Sequence, residues 1–247
     1  MTNANPFAQR STLEYELPPF ALIKEEHYLP AFYEACAAQL AEVQAILDTP
    51  GGATFENTIV ALEKSGQYLG RVLRVFYNKS SSDTNDALNA IEEELAPKFA
   101  AHQDAISLNP VLFKRIKDLY DARESLGLNS EDAWLLERYY KDLIHEGAHL
   151  TEAQRERLKE LNEELSSLET QFSKNVLADT NDLAILVDSV EELDGLSENQ
   201  IAAAAAAAKD RGHDGKWLIG MVNFTGNPVL DSLTNRDLRK KIMEASL

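Results

Sequence analysis

Residues 151–176 have the sequence TEAQRERLKELNEELSSLETQFSKNV. Thr151 and Gln154 have the spacing of a capping box, in which two side chains satisfy free backbone N–H groups at the start of a helix. Behind them, apolar residues recur at steps of three and four, the period of one face of an α-helix. The row consists of Leu158, Leu161, Leu165, Leu168, Phe172 and Val176. The pattern predicts a long helix that packs antiparallel on another long helix.

Similar rows in the first 180 residues predict further helices. Thr54 caps a helix whose apolar seam is predicted to run through Gly66 to Phe76. A later helix carries Pro97 in its interior, which predicts a kink or a break at that position. Residues 1–23 contain three prolines and show no period, so this segment is predicted to be extended.

The pattern changes after residue 180. Residues 183–187 (LAILV) and 217–219 (WLI) predict two short strands, and Ser197 caps a helix between them. The predicted fold class is mainly α, an antiparallel bundle of long helices followed by a small α/β piece with a short two-stranded element. The predicted divisions are an extended segment over residues 1–23, the helical bundle over 24–180 and the α/β segment over 181–247.

Composition excludes several function classes. The chain has 41 acidic and 24 basic residues, a net charge of −17, which repels phosphate backbones and argues against nucleic-acid binding. Cys36 is the single cysteine, which fits a reducing compartment. Residues 1–20 lack the apolar core of a signal peptide, and the apolar run at 201–208 is too short to span a bilayer. We therefore expect a cytoplasmic protein with no membrane or nucleic-acid partner.

Residues 145–149 (HEGAH) match the zincin motif H-E-x-x-H. On a continuous helix, His145 and His149 share one face and can hold Zn²⁺, while Glu146 acts as general base on the metal-bound water. Glu169 lies twenty residues after the second histidine, a spacing that some zincins use for a third ligand. These four side chains are the candidate site of a small metallopeptidase.

Local signals oppose this site. Gly147 marks a helix end, and Thr151 begins a new capped helix. His145 then lies in the last turn of one helix and His149 in the connection, so the two imidazoles do not share a face. Glu169 lies on an acid-rich helix, where a solvated glutamate is the common case. We predict no catalytic, metal-binding or cofactor-binding residue in this chain.

Other single residues have structural interpretations. Cys36 and His102 both lie on apolar helical rows, which predicts a core thiol and a histidine at the edge of the core. The pair Tyr139 and Tyr140 is predicted to pack a helix interface. The chain contains none of the glycine-rich phosphate loops and no G-x-S-x-G nucleophile motif.

Several segments resemble the family of zinc oligopeptidases that includes thimet oligopeptidase, neurolysin, oligopeptidase A and the bacterial peptidyl-dipeptidases. They are residues 5–7 (NPF), 27–32 (HYLPAF), 55–66 (FENTIVALEKSG), 123–128 (RESLGL), 161–173 and 216–219 (KWLI). The resemblance covers nearly the whole chain in order, and residues 123–128 and 216–219 are most similar to the peptidyl-dipeptidase branch.

The resemblance implies a fold and a function. The family is almost entirely helical and is split by a deep channel, one wall of which the N-terminal half provides. Its zinc lies in the other half, on a separate H-E-F-G-H helix with a downstream glutamate. That half is absent from these 247 residues, and no metal or catalytic residue of the family can be assigned here. The implied partners are short peptides and the C-terminal catalytic domain of the same chain.

Three functions stay open at this point. The first is the noncatalytic N-terminal region of a cytoplasmic zinc peptidyl-dipeptidase, inactive alone and truncated near Leu247, where the last helix has no stop signal. The second is a self-contained zincin that uses the HEGAH motif. The third is a helical interaction module. The residues alone do not fix cleavage specificity, oligomeric state or the residues that contact peptide.

Overall fold

The computed structural model describes residues 5–222 and 226–246 and divides into two compact units, Met1–Thr170 and Gln171–Leu247. Most of the described chain is helical, with one two-stranded sheet, so the predicted fold class is confirmed. The α-helices of the first unit are α1 (Tyr28–Leu47), α2 (Ala61–Lys64), α3 (Gln67–Ser82), α4 (Asp86–Ser107), α5 (Pro110–Asp121) and α6 (Ser130–Glu146). The remaining α-helices and the two strands are α7 (Glu152–Asp182), β1 (Ile185–Val187), α8 (Glu198–Asp210), β2 (Trp217–Ile219), α9 (Gly226–Ser232) and α10 (Arg236–Ala245). The functional divisions at residues 23 and 180 stay a prediction.

One of the apolar clusters of the first unit is formed chiefly by α1, α3 and α4. Ala31 and Ala35 on α1 are fully buried, and their small side chains let the helices approach closely. Large rings fill the remaining space: Phe32 and Phe76 are buried, and Tyr28 packs edge-on against Phe76 with centroids 5.3 Å apart. The apolar rows of these helices therefore face one another, as their spacing predicts.

A second cluster in the same unit joins α5 and α6 to a short π-helix at Phe55–Val60. Ile59 on the π-helix, Ile116 on α5 and Leu136 on α6 are fully buried. Asn109 caps α5 by accepting N–H groups of its first turn. This cluster fixes the position of α6, and therefore the position of the HEGAH motif at its end.

The seam predicted to run through Gly66 is interrupted, and the prediction of one continuous helix there is wrong. Gly66 has φ +68°, between α2 and α3, and its N–H donates to the carboxylate of Glu42 at 2.7 Å. A Cβ at this position would lie 2.3 Å from the side chain of Gln39. Glycine ends the first helix because it alone accepts this conformation in this space. By contrast, α4 continues through Pro97 as one helix, so of the predicted kink or break the break does not occur.

The apolar row of α7 is exposed, which overturns the expected packing on another helix. Its length is as predicted, since the helix runs to Asp182. Half of the predicted capping box is present: the Gln154 side-chain oxygen accepts the backbone N–H of Thr151, and the Thr151 hydroxyl donates to the same oxygen. Yet α7 has no buried residue, and its leucines from Leu161 onward face solvent, whereas Leu158 is half-buried. Its polar face is the half-buried one: the Asn162 amide donates to the buried Asp104 of α4 at 2.8 Å. Periodicity predicts which residues share a face but not what covers that face.

The second unit contains the small α/β piece. Strands β1 and β2 pair, as predicted, and the structure shows the pairing to be antiparallel with Leu186 opposite Leu218. Ser197 caps α8 in a capping box with Gln200. Leu193 and Ile242 are fully buried in its core. No helix in the described part of the chain is long and apolar enough to cross a lipid bilayer.

Candidate functional site

The HEGAH motif lies at the end of α6, where the helix stops at Gly147. Gly147 has φ +97°, in the left-handed region. The Ala148 N–H donates to the carbonyl of Leu143 at 2.9 Å, and the Gly147 N–H donates to Ile144 at 3.1 Å. This is the backbone geometry that closes helices at a C-terminal glycine. The predicted helix end is confirmed at this residue.

The helix end separates the residues of the motif. His145 lies in the last turn of α6, and His149 lies in the connection to α7. Both imidazoles and Glu146 are exposed, as is Glu169 on α7. Two histidines at i and i+4 share a face only on a continuous helix, so the four residues do not fit a zincin site.

The described residues outside the motif do not supply a zinc site either. Within residues 5–222 and 226–246, no group of three or more His, Cys, Asp or Glu side chains is arranged to hold a metal ion. The zinc that the family resemblance implies therefore has no fitting donor set among the described residues. No reaction step is assigned to these side chains.

Cys36 and His102 are core groups, as predicted. Cys36 packs beside the first cluster, and burial raises the pKa of its thiol to about 11, which keeps it protonated and unreactive. His102 is buried, and its Nε2 lies 2.8 Å from the side-chain oxygen of Gln39. Burial lowers the pKa of His102. Neither group is positioned for catalysis.

Tyr139 and Tyr140 also pack as predicted, on α6. The Tyr139 hydroxyl donates to Glu63 at 2.7 Å, and burial, this hydrogen bond and the nearby carboxylate raise its pKa. The ring of Tyr140 stacks on Tyr120 with centroids 4.1 Å apart, and Phe113 lies on the same ring at 6.1 Å. These contacts hold α6 against α5.

Sequence reasoning missed a polar cluster in the family-like segment at residues 55–66. The Arg115 guanidinium on α5 donates to the Thr58 hydroxyl and to the Asn57 amide oxygen, each at 2.8 Å. Thr58 is fully buried. The cluster fastens the π-helix to α5. It was not predictable because Arg115 lies 57 residues from Thr58 in sequence.

A hollow of about 550 Å³ in the second unit also gave no sequence signal. Its lining includes the polar residues Arg211, His213 and Asp182 and the apolar Leu218. The Arg211 guanidinium already donates to both the backbone and the side chain of Asn181. The lining residues carry charges of both signs and include no nucleophile–base pair, so we assign no reaction to the hollow.

Curated relatives match the chain over nearly its full length. Dipeptidyl carboxypeptidase of Escherichia coli (strain K12) is 40% identical over 245 residues, which cover 99% of this chain and 36% of that relative. The chain is a homologue of one part of the dipeptidyl carboxypeptidases. The protein of the same name from Salmonella typhimurium is 36% identical over 244 residues, 99% of this chain and 36% of the relative.

Oligopeptidase A of Salmonella typhimurium is a more distant relative, 27% identical over 231 residues, 94% of this chain and 34% of the relative. No family model matches the chain. The chain spans about a third of the length of the curated relatives it matches. The resemblance to the oligopeptidase family is thus confirmed, and its relatives are named as peptidases.

Proposed function

We propose that this chain is the noncatalytic N-terminal region of a cytoplasmic zinc metallopeptidase that removes C-terminal dipeptides from short peptides. In this proposal the region forms one wall of the substrate channel. The zinc and the residues that activate water belong to the C-terminal catalytic domain of the same polypeptide, and the short peptide is the substrate of the whole protein.

One observation carries the proposal. A homologue named dipeptidyl carboxypeptidase is 40% identical to 99% of this chain, yet the match covers 36% of that homologue. The helix end at Gly147 adds to it, because it separates His145 from His149 and leaves the HEGAH motif without a chelating face. Both observations favour a chain that shapes an enzyme without carrying its chemistry.

A paired assay of metal content and hydrolysis tests the proposal. We expect the full-length protein to bind one zinc per chain and to release the C-terminal dipeptide from a short N-acylated peptide. We expect the 247-residue chain, assayed identically, to do neither. Elemental analysis and mass spectrometry of the products are the readouts.

The competing zincin hypothesis makes the opposite prediction for the 247-residue chain. Zinc at one equivalent together with turnover that Glu146→Gln abolishes would overturn the proposal. Glu152→Gln is the matched control, because it removes another exposed carboxylate from the same junction, at the start of α7, and leaves the motif intact.

The wall assignment has its own test. A photoreactive peptide substrate analogue bound to the full-length protein should label residues within 24–180, and excess unlabelled peptide should suppress the label. Labelling confined to the rest of the polypeptide would refute the wall assignment and leave the peptidase proposal standing.

The third hypothesis, a helical interaction module without peptidase context, is favoured by one observation. Leu161, Leu165 and Leu168 of α7 are exposed, and such a face suits a partner. A native protein of about 27 kDa with no peptidase activity would support this reading over the first.

A further inference from the structure

The two faces of α7 are reversed relative to an ordinary surface helix. In the part of α7 that belongs to Met1–Thr170, the large exposed apolar side chains fall within an arc of about 60° at 100° per residue. We call them the α7 stripe: Leu161 (43% exposed), Leu165 (53%) and Leu168 (59%). The half-buried Lys159, Asn162 and Ser166 lie away from it. A contiguous exposed stripe of this kind on one helix marks an interaction surface.

A buried polar contact fixes this orientation. Asp104 on α4 is 7% exposed, and its Oδ1 accepts the amide N–H of Asn162. Removing Asn162 from Asp104 would leave the buried carboxylate with fewer partners, which is costly. The contact therefore holds the polar face of α7 inward and the α7 stripe outward.

Charges beside the stripe restrict what can cover it. Residues 160–173 contain four glutamates, Glu160, Glu163, Glu164 and Glu169, and no lysine or arginine. By helical geometry, Glu164 and Glu169 flank the stripe on opposite sides. A second copy packed antiparallel over this stretch would oppose carboxylates to carboxylates, in molecules that each carry −17. The occupant must instead bring an apolar face with basic edges.

We propose that the α7 stripe is the docking surface for an amphipathic helix with lysine or arginine at its edges, supplied by the part of the full-length polypeptide outside this chain. The proposal rests on the proposed function. The relatives contain almost two thirds of their length beyond the match. A helix on the same polypeptide is present at high effective concentration, so even a short apolar stripe is sufficient for contact.

Thermal unfolding of two forms of the protein tests the docking. We expect the double variant Leu165→Glu/Leu168→Glu to lower the Tm of the full-length protein by roughly 5 °C or more, because it places charge in a covered apolar contact. The same substitutions in the 247-residue chain should shift Tm by about 1 °C or less, because both side chains already face solvent there. Ser167→Glu is the control, since it adds a carboxylate to the same turn off the stripe.

Hydrogen exchange gives a readout that needs no variant. Amides of residues 160–173 should exchange at least about tenfold more slowly in the full-length protein than in the 247-residue chain, because a covered helix opens less often. Leu168→Ala, a milder change, should reduce that difference without unfolding the protein. Equal exchange in the two forms would show that nothing covers the stripe.

Charge reversal tests the basic edges of the occupant. Glu164→Lys/Glu169→Lys should lower the Tm of the full-length protein more than Glu163→Lys, whose position lies off the stripe edge. An increase in Tm, or equal shifts in all of these variants, would contradict a basic occupant.

The outcomes separate this inference from the proposed function. A full-length protein that releases dipeptides but leaves the stripe exposed would refute only the docking proposal. A full-length protein with a covered stripe and no peptidase activity would refute only the proposed function. If the 247-residue chain sediments as a dimer that Leu165→Glu/Leu168→Glu dissociates, the occupant is a second copy and the inference is wrong.

Discussion

Helices α4 and α7 have similar apolar spacing but opposite environments. On α4, Leu88 and Leu95 are completely buried. On α7, Leu165 and Leu168 are more than half exposed. The helix with an interior proline is the one in the core, and the helix with the cleaner pattern is the one in solvent. Amphipathic spacing therefore identifies a helix face that is suited to burial. In α7, no described residue of this chain buries that face.

The prediction with the largest expected effect compares one leucine of α4 with one leucine of α7 in the 247-residue chain. Leu95→Ala should lower the free energy of unfolding by about 3 kcal/mol, because it leaves a cavity in a packed cluster. Leu168→Ala should change it by about 0.5 kcal/mol or less, because the side chain is already hydrated. Urea denaturation measures both. Similar losses at the two positions would contradict the contrast.

The contrast also shows how far sequence alone reaches. The helix start at Thr151, the glycine stop at Gly147 and the strand pair around Leu218 all follow from local signals, and the structure contains each of them. Local signals act over a few residues, where steric and hydrogen-bonding rules are strong. They therefore predicted the elements, and they predicted that the HEGAH motif is split.

Long-range contacts were out of reach. The helix break at Gly66 depends on two residues more than 20 positions away in sequence. Gln39 occupies the space that a side chain would need, and Glu42 accepts the Gly66 N–H. The contact between Arg115 and Thr58 and the one between Asp104 and Asn162 join residues 57 and 58 positions apart. A helical period contains no information about such partners. That is also why the exposure of α7 could not be predicted.

A smaller effect is expected at the junction where α6 ends and α7 follows. A Cβ on Gly147 would lie 2.7 Å from Leu158 and 2.9 Å from Leu150, at a φ of +97°. Gly147→Ala should therefore lower the free energy of unfolding by about 2 kcal/mol. Gly127→Ala is the control: its φ is +65° but no atom lies within 4 Å, so strain alone should cost about 1 kcal/mol. Equal losses would mean that the start of α7 is not packed against the junction.

The smallest effect concerns the contact that orients α7, and it depends on pH. Burial raises the pKa of Asp104 above its ordinary value of 3.8, although the Asn162 hydrogen bond and Lys159 oppose the shift. A carboxyl group whose pKa is higher in the folded state binds its proton more tightly there. Its contribution to stability is therefore present at low pH and is lost as the pH rises through the folded-state pKa. Asp104→Asn removes the carboxyl group whose ionisation lowers stability. Its amide oxygen can still accept the Asn162 N–H.

At pH 7 the Asp104→Asn variant should thus unfold at a Tm about 2 °C higher than the unchanged chain, and the difference should shrink toward pH 4. Thermal denaturation of both proteins across this range measures it, with Glu163→Gln as a matched loss of an exposed carboxylate on α7. A variant that is less stable at pH 7 would mean that the ionised carboxylate strengthens its contact with Asn162 by more than its burial costs. In that case charge, as well as shape, would hold the polar face of α7 inward.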